Sequence, residues 1–305
     1  MDNITKMLLE QISDFNGEYK GAYNIRVDGT CAGRQSSENI IIENKTDAPG
    51  LVIKIRPGTV GESVSIPACV THGDIDDLVY NDFFVGENSD ITIVAGCGVH
   101  TETGEPARHN GIHRFILGKG SKVKYVEKHI GTGSGDGIRS IDPVTEIIMD
   151  EDSVMEMETS QIGGVDDSNR LTSAVLQKGA KLFVRERLLT ENRQKAKTDF
   201  KIEMNGEGSG ADVISRSVAK GDSYQSYHSV IIGNAPCTGH TECDAIISEN
   251  GIVDAAPELC ARNEDAALIH EAAIGKIAGE QILKLRTLGM TEEEAQQTII
   301  EGFLS

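Results

Sequence analysis

From about Ile25 to Pro257 the chain alternates short β-branched runs with turns rich in Gly, Asp, Asn and Ser, the pattern of many short strands. A loose repeat runs through this region. Small residues at Ser89, Ser121, Ser153, Ala180 and Ser209 each close a polar turn and open a strand, at spacings of 32, 32, 27 and 29 residues. An apolar pair precedes most of them: Phe84-Val85, Ile116-Leu117, Ile148-Met149 and Val175-Leu176. A period of this length points to a solenoid, in which no unit can bury its own apolar face and stacking supplies the core. A β-sandwich with similar turns is the competing architecture.

The flanks read differently. Asn3 to Phe15 is an amphipathic helix, with Ile4, Leu8, Leu9, Ile12 and Phe15 on one stripe and Asn3 as its cap. After Glu258 the spacing predicts a long helix over Asn263–Leu288, capped by Asn263 and stopped by Gly289. Thr291-Glu292-Glu293-Glu294 then matches a capping box and opens a second helix to about Glu301. The expected organisation is a helical segment over 1–22, a β core over 23–257 and a helical segment over 258–305.

Composition narrows the function classes. The chain has 33 glycines, 4% aromatic residues and no Trp, which suits tight turns and a thin stacked core. Its net charge of −19, from 29 basic and 48 acidic residues, repels phosphate backbones and anionic membranes, leaving cations and basic proteins as company. The six cysteines lack the spacing of a disulfide framework. The N-terminus has no signal-peptide pattern, and no apolar run approaches the roughly 18 residues that span a bilayer. These features predict a cytoplasmic protein with reduced thiols.

Two residues stand out near the end of the repeat region. On the predicted helix, Glu271 shares a stripe with Ala267, Ile274, Ala278, Ile282 and Leu285. A carboxylate on such a face needs a salt bridge, a hydrogen bond or a bound cation. Cys243 lies between Glu242 and Asp244 in a strand-like segment. Its thiolate is the natural iron–sulfur ligand, whereas its acidic neighbours raise the thiol pKa, and an inert buried thiol is the competing reading.

The segments Ser223-Tyr224-Gln225-Ser226-Tyr227-His228, Thr241-Glu242-Cys243-Asp244, His270-Glu271-Ala272 with Lys276-Ile277, Gln281, Gly289-Met290-Thr291-Glu292-Glu293-Glu294-Ala295 and Gly302-Phe303 come in an order and spacing that resemble the C-terminal part of SufB/SufD proteins. The chain looks like a short form of that family, and the retained Cys243 makes it more similar to SufB than to SufD. The resemblance implies a mainly β protein, a right-handed parallel β-helix with helical ends. It also implies a scaffold for iron–sulfur cluster assembly, not a self-sufficient enzyme, paired as a homodimer through the β-helix. A SufC-like ABC ATPase would dock on the C-terminal segment and supply any ATP hydrolysis. A sulfur donor and apo-protein acceptors complete the implied partners. Cys243 and Glu271 would hold a transient iron–sulfur cluster, with His270 secondary.

A second set, Cys97, His100, His109 and His113, has metal-ligand types at workable spacing, and Gly98 and Gly111 suggest bent loops there. It could lend ligands to a nascent cluster, or serve a metal-binding β-solenoid hydrolase, the alternative function. Glycines 131, 133, 135 and 137 lack the Gly-Lys-Ser/Thr ending of a phosphate loop and read as a solenoid turn. A polysaccharide-acting solenoid would call for aromatic platforms and an export signal, which this sequence does not have. Cys31, Cys69, Cys237 and Cys260 carry no assigned role.

Overall fold

The computed structural model describes residues 1–305. Helix α1 (Asn3–Ser13) leads into two antiparallel hairpins, β1 (Ala22–Val27) with β2 (Thr30–Gln35), and β3 (Ile40–Asn44) with β4 (Gly50–Ile55). The first coils contain β5 (Val60–Val70), β6 (Ile75–Val85), β7 (Asp90–His100), β8 (Ala107–Leu117) and β9 (Lys122–Thr132). Next come β10 (Arg139–Ile141), β11 (Val144–Met149), β12 (Val154–Ile162), β13 (Asp167–Leu176), β14 (Lys181–Thr190) and β15 (Lys195–Met204). The last strands are β16 (Gly210–Ala219), β17 (Tyr224–Gly233), β18 (Cys237–Ile247), β19 (Ile252–Ala261) and β20 (Ala266–Gly275). Helices α2 (Gly279–Arg286) and α3 (Glu292–Phe303) end the chain.

Strands alternate between two sheets. One runs β2-β1-β5-β7-β9-β12-β14-β16-β18-β20, and the other runs β19-β17-β15-β13-β10-β8-β6-β4-β3, with β11 extending the β10 position. Past the hairpins every pairing is parallel, so the chain is a β-solenoid of about eight turns. The period-2 pattern explains the packing. In β14, Leu182, Val184, Glu186 and Leu188 point inward while Phe183 and its neighbours of that parity face out. Inward residues of successive coils stack, as Leu182 does on Ala211 and Val184 on Val213. Each fully buried Leu, Val or Ile contributes about 1.5–3 kcal/mol. The repeat anchors occupy the inner corners: Ser89, Ser121, Ser153, Ala180 and Ser209 are all buried. The Ser153 and Ser209 hydroxyls donate to the Asp150 and Gly206 carbonyls, each at 2.7 Å, tying the turn closed.

Glycines matter where coils meet without side-chain room. A Cβ on Gly137 would stand 2.0 Å from the Glu105 carbonyl, and Gly137 N–H donates to the Thr103 carbonyl at 2.9 Å. The glycine-rich stretch is thus a solenoid turn stacked on the turn before it.

Three expectations are corrected. The cap of α1 is Asp2, whose carboxylate accepts from Thr5 N–H at 2.7 Å, and the helix ends at Ser13. The residues around Gly98 and Gly111 are not bent loops but the straight strands β7 and β8. Gly96 and Gly98 face α1: a Cβ on Gly98 would lie 2.9 Å from Leu8 Cδ2, and one on Gly96 would lie 2.5 Å from the Ile12 carbonyl. The expected helix over Asn263–Leu288 is mostly strand. Residues Ala266–Gly275 pair with β18 from Cys237 to Ile246, and only Gly279–Arg286 is helical. Stacking on a preceding coil outweighs the local helix preference of this Ala- and Ile-rich segment. The segment from 258 onward therefore contains the end of β19 and all of β20 before it turns helical.

The capping box is present: Thr291 Oγ1 accepts from Glu294 N–H, and Glu294 accepts from Thr291 N–H at 2.8 Å. Helix α3 folds back over the outer face of the first sheet, where Ile300 and Leu304 pack on Val218, with Leu189 and Ile246 alongside. No helix is long and apolar enough to cross a membrane.

Candidate functional site

The candidate residues fall on the last coils, and strand alternation decides what each can reach. Cys243 lies on β18, in register with Ser215 of β16 and Ala272 of β20. Its side chain faces the solenoid interior and is 1% exposed. Burial, then the Glu186 and Asp244 carboxylates, push the thiol up to about 12. Glu271 lies one position earlier on β20, in register with Glu242, and is exposed. Neighbouring strand residues project to opposite faces. The thiol and the carboxylate therefore sit on adjacent ladder positions but on opposite faces of one sheet. The apolar helix stripe expected around Glu271 does not exist.

On the outer face, Glu271 has company that the sequence did not single out. One ligand atom each of His240, Glu242 and Glu271 lies within 4.8 Å of the others. His240 Nδ1 meets Asp212 Oδ1 at 2.7 Å, and Asp212 is held in turn by Arg185 at 2.7 Å. Burial and the neighbouring Asp244 raise the Glu242 carboxyl. The signal available in the sequence was the spacing of His240 and Glu242, two residues apart and so on one face of a strand.

His270 belongs to the inner face, with its Nδ1 3.2 Å from the Thr241 carbonyl oxygen. Beyond it the solenoid is open. Ala266, Leu268 and His270 are half-buried, Ala272 is exposed, and the outer edges of β19 and β20 have no partner strand.

Deeper in the solenoid is a chain of buried charge that sequence reasoning did not identify. Arg170 donates to Glu127 at 2.5 Å and lies 3.6 Å from Glu186. Tyr125 also donates to Glu127, and Glu186 accepts from Thr198 at 3.0 Å and Ser215 at 2.6 Å. Burial alone would raise the Glu127 carboxyl; Arg170 and His129 outweigh it and hold it well below the usual range. The clue was parity: Glu127 shares an inward register with Val123 and Tyr125, as Glu186 does with Leu182 and Val184. Ser215 links this chain to Cys243, its ladder neighbour.

The second set is divided. Cys97, His109 and His113 line one cavity of about 340 Å³ near the hairpin end, with Arg26, Arg34 and Cys31 among its other walls. His109 Nδ1 is paired with Asp77 at 3.1 Å, and His113 Nδ1 with Tyr125 Oη at 2.9 Å. His100 is apart from that cavity, at the end of β7, with its Nδ1 2.9 Å from Thr132 Oγ1. These four residues do not converge to ligand distance; only His240, Glu242 and Glu271 do. Burial raises the Cys97 thiol well above its ordinary value and lowers His113 to about 4.

Comparison with known proteins agrees with this architecture. The family model described as "SUF system FeS cluster assembly, SufBD core domain" matches residues 81–303. The chain belongs to the SufBD family. An iron–sulfur cluster assembly SufBD family protein of Archaeoglobus fulgidus is 31% identical over 261 residues, covering 85% of this chain and 69% of that protein. A relative of the same description from Methanothermobacter thermautotrophicus is 28% identical over 271 residues, covering 86% of this chain and 64% of its own length. SufB of Bacillus subtilis is 23% identical over 224 residues, covering 72% of this chain and 47% of its own length. The chain thus spans about two thirds, or less, of these relatives. The SufBD core match reaches through β20 and α3, the elements around Cys243 and Glu271.

Proposed function

We propose that this SufBD-family chain is a cytoplasmic scaffold on which an iron–sulfur cluster is assembled at the open end of the solenoid and passed to apo-proteins. The observation that carries this reading is the last coil. It brings a buried thiol, Cys243, and an exposed carboxylate, Glu271, to adjacent ladder positions beside an unpaired sheet edge. The cluster, as cargo, takes Cys243 from the inner face and Glu271 from the outer one. One chain does not present both to a single point, so the remaining ligands come from a second copy joined at the open end.

Two further features support partners. The free edges of β19 and β20 and the half-buried Leu268 suit a homodimer that continues the solenoid. The exposed Leu283 and Leu288, in and beside α2, suit docking of a SufC-like ABC ATPase, which supplies the ATP hydrolysis. The high thiol pKa of Cys243 is reversed by metal binding, since a coordinated thiol loses its proton.

The test is anaerobic loading with iron and sulfide, followed by iron and sulfide content and the sulfur-to-iron absorption band. Cys243→Ser and Glu271→Ala should each fold like the parent yet hold little cluster. Reconstitution at parent level by both variants would remove the reading.

A further inference from the structure

The geometry points to a divalent-cation site on the outer face of the first sheet, made by His240, Glu242 and Glu271 and separate from the thiol. Under the assembly reading above, on which only the identity of the cargo rests, the cation is iron(II) held before it meets sulfur.

The sheet register creates the site. Parallel pairing sets Glu242 directly beside Glu271 on neighbouring strands, and His240 two residues before Glu242 on the same face. The Glu242 and Glu271 carboxylates lie side by side with Asp244 next on the same face, and neither Glu242 nor Glu271 makes a salt bridge within the chain, although Arg185 and Arg216 flank them on β14 and β16. Arg185 is committed to Asp212. A cation between the two carboxylates would offset the acidic charge that the register gathers on this face.

The imidazole is prepared for the same task. Its Nδ1 lies 2.7 Å from Asp212 Oδ1, a contact that orients the ring and, with a proton on Nδ1, would leave Nε2 to face a cation. A carboxylate behind a histidine is the usual support of a metal-binding imidazole. Asp212 is itself anchored by Arg185, so the ring is fixed from two coils back. The ligand atoms lie within 4.8 Å of one another, close enough for one ion to be shared among them.

One imidazole and two carboxylates, with no sulfur, suit iron(II), manganese(II), cobalt(II) or zinc(II) with open positions for water. Cys243 cannot join them, because it leaves the opposite face of the same strand. Iron would thus be held outside the solenoid and sulfur inside it, one strand thickness apart at the edge where the coil ends.

Cobalt(II) is the probe, titrated anaerobically into the whole chain without sulfide and followed by calorimetry and visible absorption. One cobalt per chain is expected, with ligand-field bands and no thiolate-to-cobalt charge-transfer band. His240→Ala and Glu271→Gln should each weaken binding at least tenfold, and Asp212→Asn by roughly 10-fold or more, the usual effect of losing such a support. Circular dichroism matching the parent would establish that these surface variants fold. No binding by the parent, binding equal in all four proteins, or a thiolate band would each overturn the inference. A chain that binds cobalt through these residues yet forms no cluster would keep this site and lose the assembly reading.

Discussion

The two ends of the solenoid are finished in opposite ways. At the first end, hairpins β1–β2 and β3–β4 turn back antiparallel, and α1 lies over Gly96, Gly98 and Cys69, so the coil is finished. At the last end, β19 and β20 stop with free edges, and the inward positions Leu268, His270 and Ala272 are left partly open. Both ends hold a cysteine of the inner face, Cys97 near the first and Cys243 at the last. Only the last has a convergent set of metal-ligand types beside it. A capped end hides its coil face, whereas an uncapped one leaves a sheet edge open to pairing. The buried charges of Arg170, Glu127 and Glu186 lie between them.

Breaking that middle should have the largest effect. Arg170→Ala would leave Glu127 and Glu186 buried without their counter-charge, at a cost of about 3–5 kcal/mol in urea or thermal unfolding. Overfilling the capped end comes next. Gly98→Val would force α1 away from β7 and cost about 1–3 kcal/mol, read in the same unfolding curves.

The capped end also carries a pH signature. Burial would raise the Asp77 carboxyl, but its contacts with Arg26 and His109 outweigh that and depress it. A depressed folded-state pKa stabilises above the unfolded value of about 3.9 and fades as pH falls through the acid range. Asp77→Asn should therefore be less stable than the parent at pH 7, and the gap in urea midpoint should close toward pH 3. A gap that stays constant would mean that the pair acts by packing alone.

At the open end, Leu268→Lys should cost more than about 1 kcal/mol, because the side chain packs in part on the core, and under the proposed homodimer it should also shift the native mass from dimer to monomer. The smallest effect belongs to the α3 cap: Thr291→Ala should cost about 1 kcal/mol and spare the solenoid.

Much of this was legible along the chain. The small anchors at Ser89 to Ser209 mark inner turn corners because a stacked coil has no room there for larger residues. The Asn263–Leu288 segment misled because its Ala, Leu, Ile and Glu suit a helix, and the decisive partner strand lies 29 residues earlier, as in Cys237 with Ala266. Misreading that strand hid the consequence of alternation. Adjacent ladder positions put Cys243 and Glu271 on opposite faces, and they put His240 and Glu242 on the face of Glu271. The buried charges could have been found by parity, since Glu127, Arg170 and Glu186 occupy positions whose neighbours two residues away are apolar or buried.

The central claim is that the open end, not the capped one, carries the cluster. Anaerobic reconstitution with iron and free sulfide, run side by side on Cys243→Ser and Cys97→Ser, tests it most directly. The account predicts that the sulfur-to-iron absorption band disappears in Cys243→Ser and persists in Cys97→Ser. A band that survives in Cys243→Ser and vanishes in Cys97→Ser would contradict it and move the cluster to the capped end.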